Sequence, residues 1–375
     1  MATVELYIYN LVNFQSVPPD WPGGFWWHWL FFTVVIIGFV LTMVMGVIYI
    51  ERRGMARMQS RLGPNRTGPF GLLQPVADAI KVLLKENIVP DAADKLIHWL
   101  APVVAFAPAL MIFAVVPFGN GVLLADLNVG ILYVVAISSV STVGIFMAGW
   151  GSRNKYSLIG AMRNVAAVVS YEIPLVLAIV GVVLISGSLS LNQIVVAQDV
   201  PFILLQPLGF LLFFAAGCAE INRSPFDLME ADSEIVAGFH TEYSGMKFAM
   251  FYLVEYAEAV AISAIIATLF LGGWRGPILP PWLWFVVKVI IVFFAMVWTR
   301  TTLPRIRIDQ LMAFAWKFLF PMSLFNLFIT ALQVLAGWPT ELVWAMIIAN
   351  FAVMAILVLV WSKLFFKLGQ GRIEV

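Results

Sequence analysis

The sequence predicts an all-α polytopic membrane protein with about nine transmembrane helices and further amphipathic helices on the cytoplasmic side. First, the 375 residues are 62% apolar and 11% charged, whereas soluble domains carry roughly 25% charged residues. Second, the apolar residues form runs of about 20, the length that an α-helix needs to cross a bilayer. Third, Lys and Arg are concentrated in alternate connecting segments. No alternating ten-residue pattern indicates a β-barrel, so helices are expected to satisfy the backbone in lipid.

Nine segments meet the length criterion, and together they predict a single integral membrane domain over residues 1–375. The first is too long for a cleaved signal peptide, and no Lys or Arg precedes it within the chain. The predicted spans are 26–50, 99–118, 129–149, 165–186, 202–219, 246–271, 282–299, 318–336 and 342–361.

The basic residues predict which side of the membrane each connection faces. All but two of the 22 Lys and Arg lie in alternate connections or the C-terminus, the exceptions being Arg275 and Lys288. The positive-inside rule places these basic segments in the cytoplasm. We therefore expect a plasma (inner) membrane protein with its N-terminus outside and its C-terminus inside. The basic segments are 51–98, 150–164, 220–247, 300–317 and 362–375.

Composition excludes several functions. A net charge of +1 gives no electrostatic basis for nucleic acid binding. Cys218 is the single cysteine, so this chain alone cannot hold an iron–sulfur cluster, which usually needs four thiolates. His28, His98 and His240 lack metal-ligand spacing; the first two are expected at the membrane interface beside tryptophans. No glycine-rich phosphate loop suggests nicotinamide or flavin binding.

The first basic connection contains two amphipathic stretches. Arg53, Arg57 and Arg61 recur every four residues, which predicts a helix lying in the interface plane. A second such helix is predicted over 72–86, where charged and apolar side chains form separate stripes. These helices could anchor the chain to lipid headgroups, or they could form the roof of a site that opens from the membrane.

An acidic connection follows the fifth predicted span. It holds five acids within residues 220–234 beside Arg223. Clustered carboxylates repel one another, so some are expected to be paired or protonated near neutral pH, and such groups can exchange protons. The alternative is a structural network of salt bridges. The acids are Glu220, Asp227, Glu230, Asp232 and Glu234.

Four ionisable residues fall inside predicted spans: Glu172, Glu255, Glu258 and Lys288. Each costs roughly 2.5–3.5 kcal/mol near the bilayer centre on insertion scales. Glu255 and Glu258 are three residues apart and share a helix face, and a Glu258–Lys288 pair is expected. Three acids against one base favour a proton path over a set of balanced structural pairs.

Long ordered motifs resemble one family. Over about residues 30–335 the chain is similar to the H-type membrane subunits of respiratory complex I, which join the redox arm to the pumping arm. The matching blocks include Glu51-Arg52-Arg53, Gln59-Ser60-Arg61-Leu62-Gly63-Pro64-Asn65-Arg66, Ser170-Tyr171-Glu172-Ile173-Pro174, residues 219–234, Thr241-Glu242-Tyr243-Ser244-Gly245 and Pro304-Arg305-Ile306-Arg307.

The resemblance implies an NADH:quinone oxidoreductase that translocates protons. Quinone would be the substrate, and iron–sulfur clusters would belong to partner subunits of the peripheral arm, alongside small membrane subunits and antiporter-like subunits. Proton coupling would fall to Glu172, Glu220, Glu234, Glu255 and Glu258. The quinone chamber would be lined by Arg52, Arg53, Gln59, Arg61, Asn65, Asp78, Arg223, Phe226 and Asp227, with Glu220 also placed there.

Two other functions remain open at this level. A stand-alone proton or cation transporter would share the buried acids, although no inverted internal repeat is evident and the amphipathic helices would be unexplained. The second alternative is the membrane subunit of a related hydrogenase. The quinone-type motifs argue against this function. The ninth predicted span, 342–361, departs from bacterial members of the family that end after the eighth; it could contact a neighbouring subunit or only lipid.

Overall fold

The computed structural model describes residues 26–120, 122–227, 236–277, 279–336 and 343–370. These residues form helices and connecting segments, with no named β-strand within the ranges given. A π-helical turn, Ala315–Leu319, joins the helices Ile308–Phe314 and Phe320–Leu335. The helices are α1 Trp26–Met58, α2 Gln74–Leu83, α3 Lys95–Met111, α4 Gly130–Gly151, α5 Lys155–Ser186, α6 Leu191–Ala197, α7 Phe202–Leu205, α8 Pro207–Glu220, α9 Gly245–Phe270, α10 Pro281–Thr302, α11 Ile308–Phe314, α12 Phe320–Leu335 and α13 Val343–Gln370.

The expected all-α polytopic class is confirmed. Six helical segments of the described chain are long and apolar enough to cross a membrane, and two shorter apolar helices, Pro207–Glu220 and Met346–Val360, accompany them. Helix α1 covers the first predicted span. The six segments are Lys95–Ala114, Gly130–Gly151, Lys155–Ser186, Gly245–Phe270, Pro281–Thr302 and Ile308–Leu335.

The fifth predicted span is broken into two helices. Gln206, between α7 and α8, has φ −130° and ψ 64°, outside the helical region. Pro207 follows it, and a proline disfavours helical geometry in the residue before it and supplies no N–H of its own. The apolar run 202–219 therefore contains a helix break that its hydrophobicity conceals.

The structure contains one of the two expected amphipathic helices. Helix α2 occupies most of the predicted stretch 72–86 and begins with Pro75 in its first turn. The expected separate helix through Arg53, Arg57 and Arg61 is wrong, because α1 continues without a break to Met58. Extending an existing helix needs no new nucleus, whereas a separate helix would.

Helix α9 is the centre of the bundle. Of its apolar 18-residue stretch, 83% is buried within the chain, against 50% or less for the corresponding stretches of the other candidate spans. It packs against α1, α3 and α10, while α5 packs against α8 and α12. Helices α3 and α4 approach closely at Gly144, where an added Cβ would lie 2.6 Å from the backbone nitrogen of Ala105.

The connections meet at two ends of the bundle. At the end that we call the long-loop end, Ser244 Oγ contacts the loop after α2 through Glu86 O (3.1 Å), and Ile306 N donates to Pro225 O (3.1 Å). At the opposite, short-loop end, Ile131 N donates to Leu189 O (3.1 Å). Segments that the basic residues assigned to one side of the membrane therefore contact one another.

Candidate functional site

A cluster of four charged side chains, two of them buried and two partly buried, lies near the long-loop end. Glu51 of α1 is fully buried and accepts hydrogen bonds from both Arg223 and Arg300. Arg223, 2% exposed, also pairs with Glu255 of α9, with 3.2 Å between Nε and Oε1. Two acids and two bases balance the formal charge, as a buried ionic group requires.

The surroundings of Arg223 favour its charged form. Burial alone would lower the pKa of its guanidinium, but the carboxylates of Glu255 and Glu51 outweigh that effect, so the pKa is raised above its ordinary value. The guanidinium carbon also lies 4.4 Å from the centre of the Tyr256 ring and 5.7 Å from that of Phe293. Arg223 is therefore a fixed positive charge beside Glu255.

Four of the expected proton-coupling carboxylates form a row that starts at this cluster. Glu258 interacts electrostatically with Glu255 and Glu220, and Glu220 interacts in turn with Glu172. The four side chains come from α9, α8 and α5, so residues far apart in sequence are brought together. All four are partly buried.

Glu220 and Glu258 line one internal cavity. It offers ≈ 40 Å³ to the centres of water molecules and lies among α4, α5, α8 and α9. Ser138 and Ser141 contribute hydroxyls to its wall, and Glu258 Oε1 is buried without a hydrogen-bond partner. A cavity of this size accommodates roughly two or three waters, which suits a route for protons between carboxylates.

A second polar connection runs from the surface towards the ion cluster. Arg52 donates to Asp78 of α2, and its guanidinium also faces the Tyr252 hydroxyl. The hydroxyls of Tyr252 and Tyr256 are 3.2 Å apart, and the Tyr256 ring lies against Arg223. Two expected chamber residues, Arg52 and Asp78, are thus linked to the buried charges.

Other expected chamber residues lie apart from this connection. Arg53 donates to Tyr49 Oη and to Phe70 O, the latter at 3.0 Å. Gln59 and Arg61 are exposed and bond to each other, with 2.7 Å between Oε1 and Nε. Asn65 is also exposed.

The acidic connection is described as far as Asp227. Phe226 is buried, with its ring centre 6.0 Å from that of Phe314 and 5.5 Å from that of Tyr171. Asp227 pairs with Arg305 at 2.9 Å. The remaining acids of the connection, including the expected coupling residue Glu234, lie outside the described residues.

The expected Glu258–Lys288 pair is wrong. The Lys288 ammonium donates to three carbonyls at the end of α9, those of Leu271 (2.7 Å), Gly273 (2.8 Å) and Arg275 (2.7 Å). An ammonium has three donors, and each of them meets one of these carbonyls. Lys288 therefore caps α9 at the short-loop end.

His98, which was expected beside tryptophans at the membrane interface, turns its side chain into the bundle. Its side chain is fully buried and stacks on Tyr243 with ring centres 4.0 Å apart. Its Nδ1 lies 3.2 Å from Lys247 Nζ and its Nε2 3.4 Å from Glu242 O. Since an ammonium only donates, Nδ1 is the acceptor and the proton of the neutral ring is on Nε2.

Sequence reasoning missed Glu51 and Arg300 as site residues. Both lie at the ends of apolar helices, where charged side chains usually reach the headgroups. Only tertiary structure shows that they meet Arg223 and each other. The available signal was the acid Glu51 directly after a long apolar run, within an otherwise basic segment.

Comparison with known proteins identifies the family of the chain. The family model of NADH dehydrogenase matches residues 31–331. The H-type NADH-quinone oxidoreductase subunit of Dehalococcoides mccartyi is 61% identical over 353 residues, which cover 94% of this chain and 99% of that protein. The proteins of the same name from Bacillus mycoides and Carboxydothermus hydrogenoformans are each 51% identical, covering 84% and 79% of this chain and 96% and 86% of their own lengths. The resemblance found from the motifs is confirmed, and the chain belongs to the NADH dehydrogenase family that includes these three proteins.

Proposed function

We propose that this chain is the membrane subunit of a respiratory NADH:quinone oxidoreductase that forms part of the quinone chamber and couples quinone reduction to proton translocation. One observation carries the proposal: a buried, charge-balanced ion cluster adjoins a row of four carboxylates, two of which line an internal cavity. A chain that served only as a membrane anchor would have no need of such groups, because each is unfavourable in hydrocarbon.

The chemistry requires both electrons and protons. Reduction of a quinone to a quinol takes up two electrons and two protons. The electrons come from iron–sulfur clusters of partner subunits, since this chain has a single cysteine. Withdrawal of protons from carboxylates leaves anions in a region of low dielectric constant, where their mutual repulsion is strong. In this proposal that repulsion drives the proton transfers along Glu255, Glu258, Glu220 and Glu172.

The chamber lies on the long-loop side of the ion cluster. Arg52 and Asp78 contact the connection that leads through Tyr252 to Arg223, so a charge that develops near them is felt by the buried cluster. We assign the chamber to the residues that the family resemblance indicates, namely Arg52, Arg53, Gln59, Arg61, Asn65, Asp78, Arg223, Phe226 and Asp227. Glu234 keeps its proposed role in proton coupling.

The partners and orientation follow from the same proposal. The peripheral-arm subunits that hold iron–sulfur clusters and the quinone site would dock on the long-loop end, and small membrane subunits and antiporter-like subunits would flank the bundle within the lipid. Because the basic connections lie at the long-loop end, we propose that this end faces the cytoplasm of a cell whose plasma membrane holds the enzyme, with the N-terminus outside.

Replacement of Glu258 by Gln tests the proposal. The substitution keeps the size of the side chain and removes a group that exchanges protons. We expect quinone reduction and proton transport in membrane vesicles to fall together, by on the order of 100-fold if the carboxyl acts as an acid or base. Wild-type values for both activities would contradict the proposed path.

The matched control is Asp199→Asn. This acid lies at the short-loop end, its side chain is 91% exposed, and it pairs only at the surface with Arg275. The substitution removes a carboxylate but leaves the cavity lined by Glu220 and Glu258 unchanged. Both activities should stay at wild-type levels, provided that the amount of assembled enzyme is equal in the two preparations.

A further inference from the structure

The break between α7 and α8 places a backbone carbonyl in the apolar interior. The carbonyl of Leu205 lies just before the break, and Leu205 is 5% exposed. It accepts a hydrogen bond from Asn350 Nδ2 of α13 at 2.6 Å. Asn350 is itself buried, and its Oδ1 accepts from Gln333 of α12. The ninth predicted span is therefore attached to the bundle through a specific polar contact.

Neutral polar side chains surround the same break. Gln206 Nε2 donates to Thr330 Oγ1 at 2.8 Å and to Gly181 O at 3.2 Å. Thr330 Oγ1 donates in turn to Asn326 O at 2.8 Å. Gln206, Thr330 and Asn326 are 3%, 2% and 6% exposed, so these groups are shielded from both lipid and solvent.

Two atoms of this group have no hydrogen-bond partner among the described residues. They are Gln206 Oε1, an acceptor, and Asn326 Nδ2, a donor. Both border the space that Gly209 and Gly181 leave open: a Cβ on Gly209 would lie 3.3 Å from the first atom and 3.2 Å from the second, and a Cβ on Gly181 would lie 3.3 Å and 3.4 Å from them.

The side chains of Gln206 and Asn326 also line a small cavity. It offers ≈ 20 Å³ to the centres of water molecules, and it lies between α8, α12 and α13. That volume suits about one water molecule, and buried waters occur where unpaired polar groups need partners. Its lining residues include Gln206, Asn326, Thr330, Gln333 and Asn350.

We propose that this cavity is a binding site for a single water molecule that bridges Gln206 Oε1 and Asn326 Nδ2. The water donates to the first atom and accepts from the second, so it joins α8 to α12. Helix α13 closes the site with Asn350. The ninth span is accordingly a part of the folded bundle that seals a hydrated helix break, rather than a segment that contacts lipid alone.

Substitution of Gly209 tests the site through the sign of its effect. Alanine within a helix normally stabilises it relative to glycine. In Gly209→Ala the methyl group occupies the water position and leaves both polar atoms unpaired. We expect the thermal midpoint of the assembled, detergent-solubilised enzyme to fall by roughly 2 °C or more. Gly38→Ala is the matched control, because no described residue beyond its own turn of helix has an atom within 4 Å of its Cβ position; its midpoint should stay or rise.

A second variant separates loss of water from steric conflict. In Gly209→Ser the hydroxyl takes the place of the water and offers a donor and an acceptor. Serine should therefore be less harmful than alanine, although it is larger. A density map of the wild-type enzyme that resolves ordered waters should show one between Gln206 and Asn326. An unchanged or raised midpoint for Gly209→Ala, a serine variant at least as unstable as the alanine variant, or a map without that water would each overturn the proposal.

Discussion

The two ends of α8 meet different kinds of polar group. At the long-loop end Glu220 faces a cavity shared with Glu258, beside an ion cluster built from Glu51 and Arg223. At the other end, about 20 Å away along 14 residues, Gln206 meets only amides, a hydroxyl and backbone carbonyls. Ionisable groups therefore occupy the end where protons are proposed to move, and neutral groups occupy the end where the geometry must persist.

This difference sets the scale of mutational effects. Removal of one member of a buried ion pair leaves an uncompensated charge, whereas removal of a neutral hydrogen-bond partner leaves one dipole unpaired. Substitutions at the charged end should therefore be the more damaging. A comparison of the stability of variants along the chain tests this order.

The largest effect is expected for Arg223→Met. The substitution leaves Glu51 and Glu255 facing Arg300 alone in a buried site, and loss of one partner from such a pair typically costs about 3–5 kcal/mol. The amount of assembled enzyme in membranes and its thermal midpoint measure the effect. Arg305→Met, which breaks a partly exposed pair with Asp227, is the control and should lose about 1 kcal/mol or less. Equal stability of the two variants would contradict the expected difference between the buried and the partly exposed ion pair.

The next effect is expected for Lys288→Met at the short-loop end. The variant keeps the aliphatic stem and leaves the carbonyls of Leu271, Gly273 and Arg275 without their donor. We expect a loss of about 1.5–3 kcal/mol, typical of hydrogen bonds to a charged group. Thermal unfolding should show this against Lys95→Met, an exposed lysine at the start of α3. A Lys288 variant as stable as that control would show that the cap contributes nothing.

A smaller loss is expected for Tyr256→Phe. The ring stays against Arg223, and only the hydroxyl contact with Tyr252 disappears, which corresponds to about 0.5–1.5 kcal/mol. Tyr252→Phe should lose more, because its hydroxyl also faces the Arg52 guanidinium. The double variant should be little worse than Tyr252→Phe alone, because the two single variants share the contact between the two hydroxyls. Fully additive losses in thermal unfolding would show that the two hydroxyls act independently.

The smallest loss is expected for Asn350→Leu. It removes the donor to Leu205 O and keeps an apolar side chain of similar size. Interhelical hydrogen bonds in membranes average about 0.6 kcal/mol, so α13 should detach roughly threefold more readily. Cleavage at a protease site inserted after residue 340 reports this detachment, with Ile348→Leu on an exposed position of α13 as control. A loss as large as that of Arg223→Met would contradict the comparison.

The apolar runs were sufficient to predict the helical class. The run 129–149 is largely apolar and uncharged. Such a run is buried in lipid or protein, where an α-helix satisfies the hydrogen bonds of its backbone. The break at Gln206 was not predicted, because hydropathy sums side chains and does not register the missing N–H of Pro207.

The candidate site was predicted in part. Glu255 and Glu258 were found because charges inside an apolar run are rare. Partners that depend on tertiary contacts were not found: Lys288 binds carbonyls of the preceding connection, His98 turns inward onto Tyr243, and Glu51 pairs with arginines 172 and 249 residues away in the chain. Such pairings depend on how helices are arranged, which local sequence does not specify.

The cap formed by Lys288 determines how α9 can move. Axial sliding would break three hydrogen bonds from one ammonium at the same time, each typically worth about 1.5–3 kcal/mol. Tilting about that anchored end preserves them. Rotation of α9 about this end would displace Glu255 more than Glu258, because Glu255 lies three residues, or about 4.5 Å, farther along the helix from Lys288.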